Sequence, residues 1–212
     1  MSNYILLCFF QLGNEGGACK VKIPVGRAKS NQTKPLWQEV LETLLSASIL
    51  AFLCITFIAR AFTVDGPSML PTLADGERLL IDQVTYRFRP PRRGEIVVFR
   101  YPASPDHYFV KRIIGIPGDV VAIENGRLVV NGQPIDEPYI AERMWGQLPP
   151  TEVPADAYFV LGDNRNNSKD SRSADVGFVP QDLIVGRAIW RYWPLNKMSI
   201  LTTPEAAFAA LK

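Results

Sequence analysis

Hydrophobic and polar positions divide the chain into three parts. From Thr43 to Ala59 runs TLLSASILAFLCITFIA, seventeen residues without a charge; Arg60 interrupts, and Ala61 to Val64 continue apolar. At ~1.5 Å per residue, seventeen to twenty-two residues span roughly 26–33 Å, about the thickness of a bilayer's hydrocarbon core. Past Val64 the long apolar run gives way to short stretches rich in β-branched and aromatic residues, each bounded by Gly, Pro or Asp. These lie at 77–84, 95–101, 108–114, 119–123, 157–161 and 184–193. Asn125-Gly126 and Asn131-Gly132 flank Arg127 to Val130, and each pair is a hairpin-turn signal. No long 3.6-residue period follows residue 65. The pattern predicts an all-β domain, an antiparallel sandwich or partly open barrel, preceded by a single transmembrane helix.

The predicted organisation is a tail over 1–42, an anchor over 43–64 and a β-rich domain over 65–212. The stretch from Glu142 to Asp156, with three prolines, reads as a surface excursion, and 202–212 as a loose tail. Two other readings of the apolar run remain. It could be a cleavable secretory leader, since Ala59-Arg60-Ala61 resembles an Ala-x-Ala site, or a buried core helix. The 42 residues before it and its length favour an uncleaved anchor. Arg60 can snorkel to the interface.

Charge then orients the anchor. Residues 1–64 hold six Lys/Arg against three acids, and residues 65–212 hold seventeen against eighteen. Lys20, Lys22, Arg27, Lys29 and Lys34 precede the apolar run, whereas Asp65 and Asp75 follow it early. The positive-inside rule predicts a cytoplasmic N-terminus and a domain on the extracytoplasmic side. The near-neutral domain argues against a nucleic-acid partner. All three cysteines, Cys8, Cys19 and Cys54, precede residue 65, so the domain has neither a disulfide framework nor a Cys-based zinc site.

Candidate chemistry is narrowed by what is missing. His107 is the only histidine, no Gly-x-Ser-x-Gly elbow occurs, and no phosphate-binding glycine pattern follows a strand. No metal site and no cofactor are expected. A serine and a lysine remain. Ser68 lies in VDGPSMLPTL between Pro67 and Met69, where Gly66 and Pro71 enforce a tight bend. A serine on such a bend can be an exposed nucleophile, or simply a turn residue. Lys111 lies mid-strand in DHYFVKRIIGIPGD, sharing a face with Phe109 and Ile113. Burial there lowers a lysine's pKa, and a neutral lysine can take a proton from a serine hydroxyl. A snorkelling surface lysine is the bland alternative. Arg112 points the other way, toward solvent. The polar loop LGDNRNNSKDSR, from Leu161 to Arg172, suits a self-bonded structure beside a site.

Taken in chain order, these segments resemble the boxes of the type I signal peptidases, a family of Ser/Lys serine proteases. GPSMLPTL resembles the nucleophile box, GEIVVF (94–99) the strand box, YFVKRIIGIPGD the base box, and GDNRNNSKDSR the last box. The likeness runs from about Val64 to Trp193. It implies a membrane-bound endopeptidase that removes leader peptides from exported preproteins, cutting after small residues, in a plasma or thylakoid-type membrane. It implies Ser68 as nucleophile and Lys111 as base, with Ser168 hydrogen-bonding Lys111. Asp170 and Arg172 would pair to brace the loop, and Asp163 would be a second structural carboxylate. Val64, Met69, Leu73 and Phe109 are the expected walls of the substrate pockets. Two departures are visible. Gly66 stands where some members carry a serine that assists the oxyanion hole, and Asn166 where many carry Asp.

Preprotein leader peptides and a lipid bilayer are the expected partners. Arg87, Arg89, Arg92 and Arg93 form either a solvated loop or a contact with anionic lipid. Trp190, Tyr192 and Trp193 belong to the core or to the membrane surface. A membrane-tethered β-barrel binding module, in which the serine and lysine are structural, is the alternative from another class. A self-cleaving Ser/Lys protease of the repressor type is a second, disfavoured by the absence of a helix-turn-helix.

Overall fold

The computed structural model describes residues 35–211, with the side chains of 52–59 outside that description. The predicted tail therefore lies mostly outside the described residues. A helix, α1 (Leu36–Ile58), starts directly after Pro35, a residue whose fixed φ and missing N–H cost nothing at a helix start. Large apolar side chains from Leu36 to Leu50 lie exposed along it. Among the described residues no helix is long and apolar enough to cross a membrane; the predicted anchor includes 52–59. The far end of that predicted anchor is corrected. Residues 59–63 form a strand, β1 (Ala59–Thr63), paired antiparallel with β2 (Arg78–Asp82). Short apolar runs suit either element, and pairing with an amphipathic partner strand decides for β.

Among the described residues β1 and eleven further strands make two sheets, and every pairing there is antiparallel. After β2 come β3 (Ile96–Tyr101), β4 (Ser104–Gly115), β5 (Val120–Glu124), β6 (Arg127–Val130), β7 (Gln133–Pro134), β8 (Leu148–Glu152), β9 (Ala157–Leu161), β10 (Val179–Pro180), β11 (Ile184–Trp193) and β12 (Ser199–Ile200). The larger sheet runs β1-β2-β11-β3-β4-β9-β10 with β12 on β11; the smaller runs β7-β6-β5-β8. The larger sheet stays open, with β1 and β10 as edges.

Both Asn-Gly pairs take the left-handed backbone their hairpins need, with φ 51° and 74° at Asn125-Gly126 and 53° and 75° at Asn131-Gly132. Residues 148–152, expected as part of an excursion, instead pair with β5. Prolines at 149 and 150 are tolerated because β8 is an edge strand.

Three apolar clusters hold the sheets. Ile114, Phe159 and Leu161 of the larger sheet meet Val121, Ile123, Leu128 and Val130 of the smaller. Leu79, Ile81, Ile96, Val98 and Ala188 pack with Val64, Met69 and Leu73. Val97, Phe99, Ile113 and Val160 form the third cluster on the opposite face of the larger sheet, together with Tyr158, Val176 and Val179. The expected loose tail is overturned. A short helix, α2 (Glu205–Phe208), buries Phe208 in the first cluster, with Ala207 and Leu211 against it. Gly94 lies so close to Thr203 and Phe208 that a Cβ there would crowd both. Apolar spacing in 202–212 is too short to register as a period, yet one phenylalanine suffices to fix the segment.

The arginine-rich loop is partly tied down. Arg89 pairs with Glu95 and Arg93 makes a bidentate pair with Asp119, both carboxylates being buried. Arg87 and Arg92 remain exposed.

Candidate active site

Ser68 sits on the loop joining β1 to β2. The neck of that loop is closed by hydrogen bonds from Val64 N to Glu77 O and from Gly76 N to Val64 O. Gly66 adopts φ +86°, which favours glycine, and donates its N–H to Asp75 Oδ1 at 2.8 Å. Met69 and Leu73 are fully buried, so they pin the loop from below and leave Ser68 half-buried at the surface. Both were expected as pocket walls; they pack in the apolar cluster that also holds Val64, directly behind the nucleophile's turn.

The base-box lysine arrives from β4. Lys111 is 4% exposed, and its Nζ donates to Ser68 Oγ at 2.8 Å and to Val110 O at 2.8 Å. Its ammonium also lies 5.2 Å from the Phe109 ring centroid. Burial lowers its pKa from 10.5 to about 8, against the charges of Asp170 and Asp163, which raise it. The sequence brings a serine and a lysine 43 positions apart into direct contact.

The polar loop closes over the pair. Asn164 donates its N–H to Ser68 O at 3.1 Å and its side-chain amide to Pro67 O at 3.1 Å. Asn164 was not singled out from sequence, and its place three residues after a strand end in a box otherwise full of candidates was its only signal. Asp170 is fully buried and accepts from Gly162 N and from Arg172 Nε, so the expected brace is formed. Arg172 also donates to Arg165 O. The expected bond from Ser168 to Lys111 is not formed: Ser168 Oγ is buried with no partner, and Lys111 is satisfied by Ser68 and Val110 instead.

Asp163 is held by Arg112, Nε to Oδ1 at 2.8 Å and Nη2 to Oδ2 at 2.6 Å, and accepts from Thr72. Arg112 is therefore not solvated. It is 2% exposed, donates to Gly94 O and lies 4.1 Å from the Tyr139 ring centroid. Alternation along β4 correctly turned it away from Lys111, but the face it reaches is packed, and a carboxylate on a distant loop neutralises it.

Gly162 deserves its place on steric grounds alone. A Cβ there would collide with Ser168 Oγ and with the backbone carbonyl of Ser68. Gly162→Ala is expected to cost about 1–3 kcal/mol, because the carbonyl cannot yield without moving Ser68. Thermal unfolding measures it, and an unchanged melting temperature would contradict this packing.

A cleft of about 240 Å³ opens beside the pair, walled by Phe62, Val64, Leu79, Val98, Tyr108 and Phe109. Val64 and Phe109 were anticipated there; the other four were not, because their facing depends on β1 and β4 being folded side by side with β2 and β3. Among the described residues no group of three or more His, Cys, Asp or Glu is arranged to hold a metal ion.

Comparison with known proteins completes the picture. Residues 37–193 match the family described as signal peptidase, peptidase S26. A signal peptidase I of Leptolyngbya laminosa is 39% identical over 205 residues, covering 92% of this chain and 100% of that one. A probable signal peptidase I-2 of Synechocystis is 44% identical over 181 residues, covering 83% of this chain and 82% of that one. A crystal structure of a signal peptidase I from Enterococcus faecalis is 33% identical, covers 47% of this chain and 97% of that one, and superposes with a TM-score of 0.43. On the family match and the two sequence relatives, this chain belongs to the signal peptidase family, peptidase S26. It is an enzyme of that family, a peptidase, and its described strands form antiparallel sheets.

Proposed function

We propose that this chain is a membrane-anchored serine endopeptidase that removes leader peptides from exported preproteins by cutting after small residues. Ser68 is its nucleophile and Lys111 its general base. One observation carries the reading: a lysine only 4% exposed, its pKa pushed down to about 8, bonds at 2.8 Å to a serine hydroxyl on a braced turn. Neutral Lys111 takes the proton as Ser68 Oγ attacks the scissile carbonyl, then returns it to the leaving amine. The Ser68 N–H, which has no acceptor among the described residues, is free to stabilise the oxyanion. With Gly66 contributing no side chain, that support is a backbone matter.

Substrate choice follows from the cleft. An extended peptide presents alternate side chains to one side, so the first and third residues before the bond face the walls formed by Val64 and Phe109 with their neighbours. A small cavity rejects larger side chains sterically.

Anchoring rests on the uncharged run from Thr43 to Ala59 and on the apolar side chains exposed from Leu36 to Leu50. The basic residues before the run favour a cytoplasmic N-terminus, with the peptidase domain on the extracytoplasmic face of a plasma or thylakoid-type membrane. Trp190, Trp193, Leu195, Met198 and Ile200, all exposed, support a lipid-facing surface on the domain.

The test is cleavage of a preprotein whose leader ends in Ala-x-Ala, by detergent-purified protein beside Ser68→Ala, across about pH 5 to 9. Below a pKa of about 8 the lysine is charged and cannot accept a proton. kcat/KM should therefore rise about tenfold per pH unit and level off above that value. A flat profile would remove Lys111 as the titrating base, and cleavage by Ser68→Ala at the parent rate would remove Ser68 as nucleophile.

A further inference from the structure

Across the polar loop from the catalytic cleft lies a second groove of about 340 Å³, bordered by Trp145, Gln147, Asn166, Ser168, Arg172 and Ser173. Nothing in the reading of Ser68 and Lys111 uses it. We infer that this groove holds the residues of the substrate that follow the scissile bond, with Trp145 as the platform for one of their apolar side chains. The inference rests on the function proposed above and extends it to the mature half of the substrate.

Continuity with the reacting atoms is the first argument. Lys169 lines the cleft that contains Ser68 and Lys111, and the preceding residue, Ser168, lines the groove. Gly162 fits between Ser168 Oγ and Ser68 O with no room for a methyl group. Ser168, which borders the groove, is thus separated from the nucleophile's own carbonyl by a single glycine. An extended strand advances roughly 3.3 Å per residue, so two or three residues beyond the bond are enough to reach it. The walls of the cleft are already committed to the residues before the bond.

The second argument is the state of Trp145, which is 75% exposed although its backbone is fixed. Its N–H donates to Asn166 Oδ1 at 2.8 Å, and Asn166 Nδ2 donates to Arg143 O at 3.0 Å. Met144 beside it is 3% exposed, with its sulfur 3.3 Å from Arg165 Nη1. A large aromatic held on a clamped turn, with its ring left in water, is a preorganised contact surface, since little freedom is lost when a ligand covers it. Asn166, one of the two departures from the usual boxes, is the residue that sets this clamp. Ser168, which borders the groove, also carries a buried hydroxyl without a partner.

Charge selects the kind of occupant. Arg172 is neutralised by Asp170, and Arg165 by Glu137. The groove therefore offers an aromatic face and neutral polar groups, which suits an uncharged extended peptide carrying an apolar side chain.

The experiment uses two peptides with the same Ala-x-Ala leader half. One continues for five residues after the bond with a leucine third among them; the other ends two residues after the bond. The full-length parent should cut the longer peptide about tenfold faster in kcat/KM, the scale of one well-seated aromatic contact. Trp145→Ala should bring the ratio of the two rates to near one, and Trp145→Phe should keep most of it. Asn166→Ala should lower the ratio with the indole still present, because the clamp is lost. Equal rates in the parent, or a ratio that survives Trp145→Ala, would overturn the inference while leaving the Ser/Lys reading intact. A parent that cuts neither peptide would overturn that reading and this inference with it.

Discussion

Lys111→Met is expected to lower kcat by about 10⁴-fold while leaving the protein folded, the upper range for losing a general base from a nucleophile that cannot ionise unaided. Methionine fills nearly the same volume, so Phe109 and the neighbouring strand keep their contacts. What disappears is the acceptor 2.8 Å from Ser68 Oγ. The stability consequence has the opposite sign. The folded lysine has a pKa of about 8 against 10.5 for a free one, because burial penalises its charge. Folding therefore releases a proton between those values, and the parent should gain stability as pH rises through that window. Below about pH 8 the parent carries the full cost of a buried ammonium. The methionine variant carries none, so its unfolding free energy should be higher at neutral pH and flat across the window. Chemical denaturation at several pH values, beside the cleavage assay, reads both effects. An inactive variant that is also less stable at neutral pH would mean the loss came from misfolding, not from the missing base.

Asp163→Ala is expected to cost about 3–5 kcal/mol, the penalty for leaving a buried charge uncompensated. Asp163 and Arg112 are 0% and 2% exposed at their side chains, joined by two hydrogen bonds, with Thr72 also donating to the carboxylate. Removing the acid strands a guanidinium beneath the polar loop. The pair itself is a poor investment compared with apolar packing, so the double variant Arg112→Met/Asp163→Leu should recover most of the loss. Urea unfolding of the single and double variants measures the difference. If the two are equally destabilised, the damage comes from the loop and not from the orphaned charge.

Much of the site was legible because its chemistry is local in sequence. The bend around Ser68, the apolar flanks of Lys111 and the self-bonded character of the polar loop can each be read within a dozen residues, while the Asp170–Arg172 pairing came from the likeness to the family's last box. The two hairpins were legible for the same reason, as Asn-Gly turns act on their own neighbours. What failed was whatever depends on a partner far along the chain. Alternation placed Arg112 opposite Lys111 but could not reveal that Asp163, 51 positions on, waits on that face. Met69 and Leu73 lie beside the nucleophile in sequence, yet the turn that presents Ser68 rotates them inward. β1 was absorbed into the apolar run before it, since hydrophobicity alone does not separate a helix end from a strand start. Ser168 was assigned a bond to Lys111 that the lysine has already given to Ser68 and Val110.

The burial of Phe208 carries a consequence for biosynthesis. The other buried residues of the cluster between the two sheets come from 114–161, but this ring, with Leu211 against it, comes from the segment after the last described strand. A nascent chain that has emerged as far as β12 holds every described strand and still has a gap in that cluster. Closure of the domain should therefore wait until the Phe208 segment has emerged, with exposed apolar surface until then.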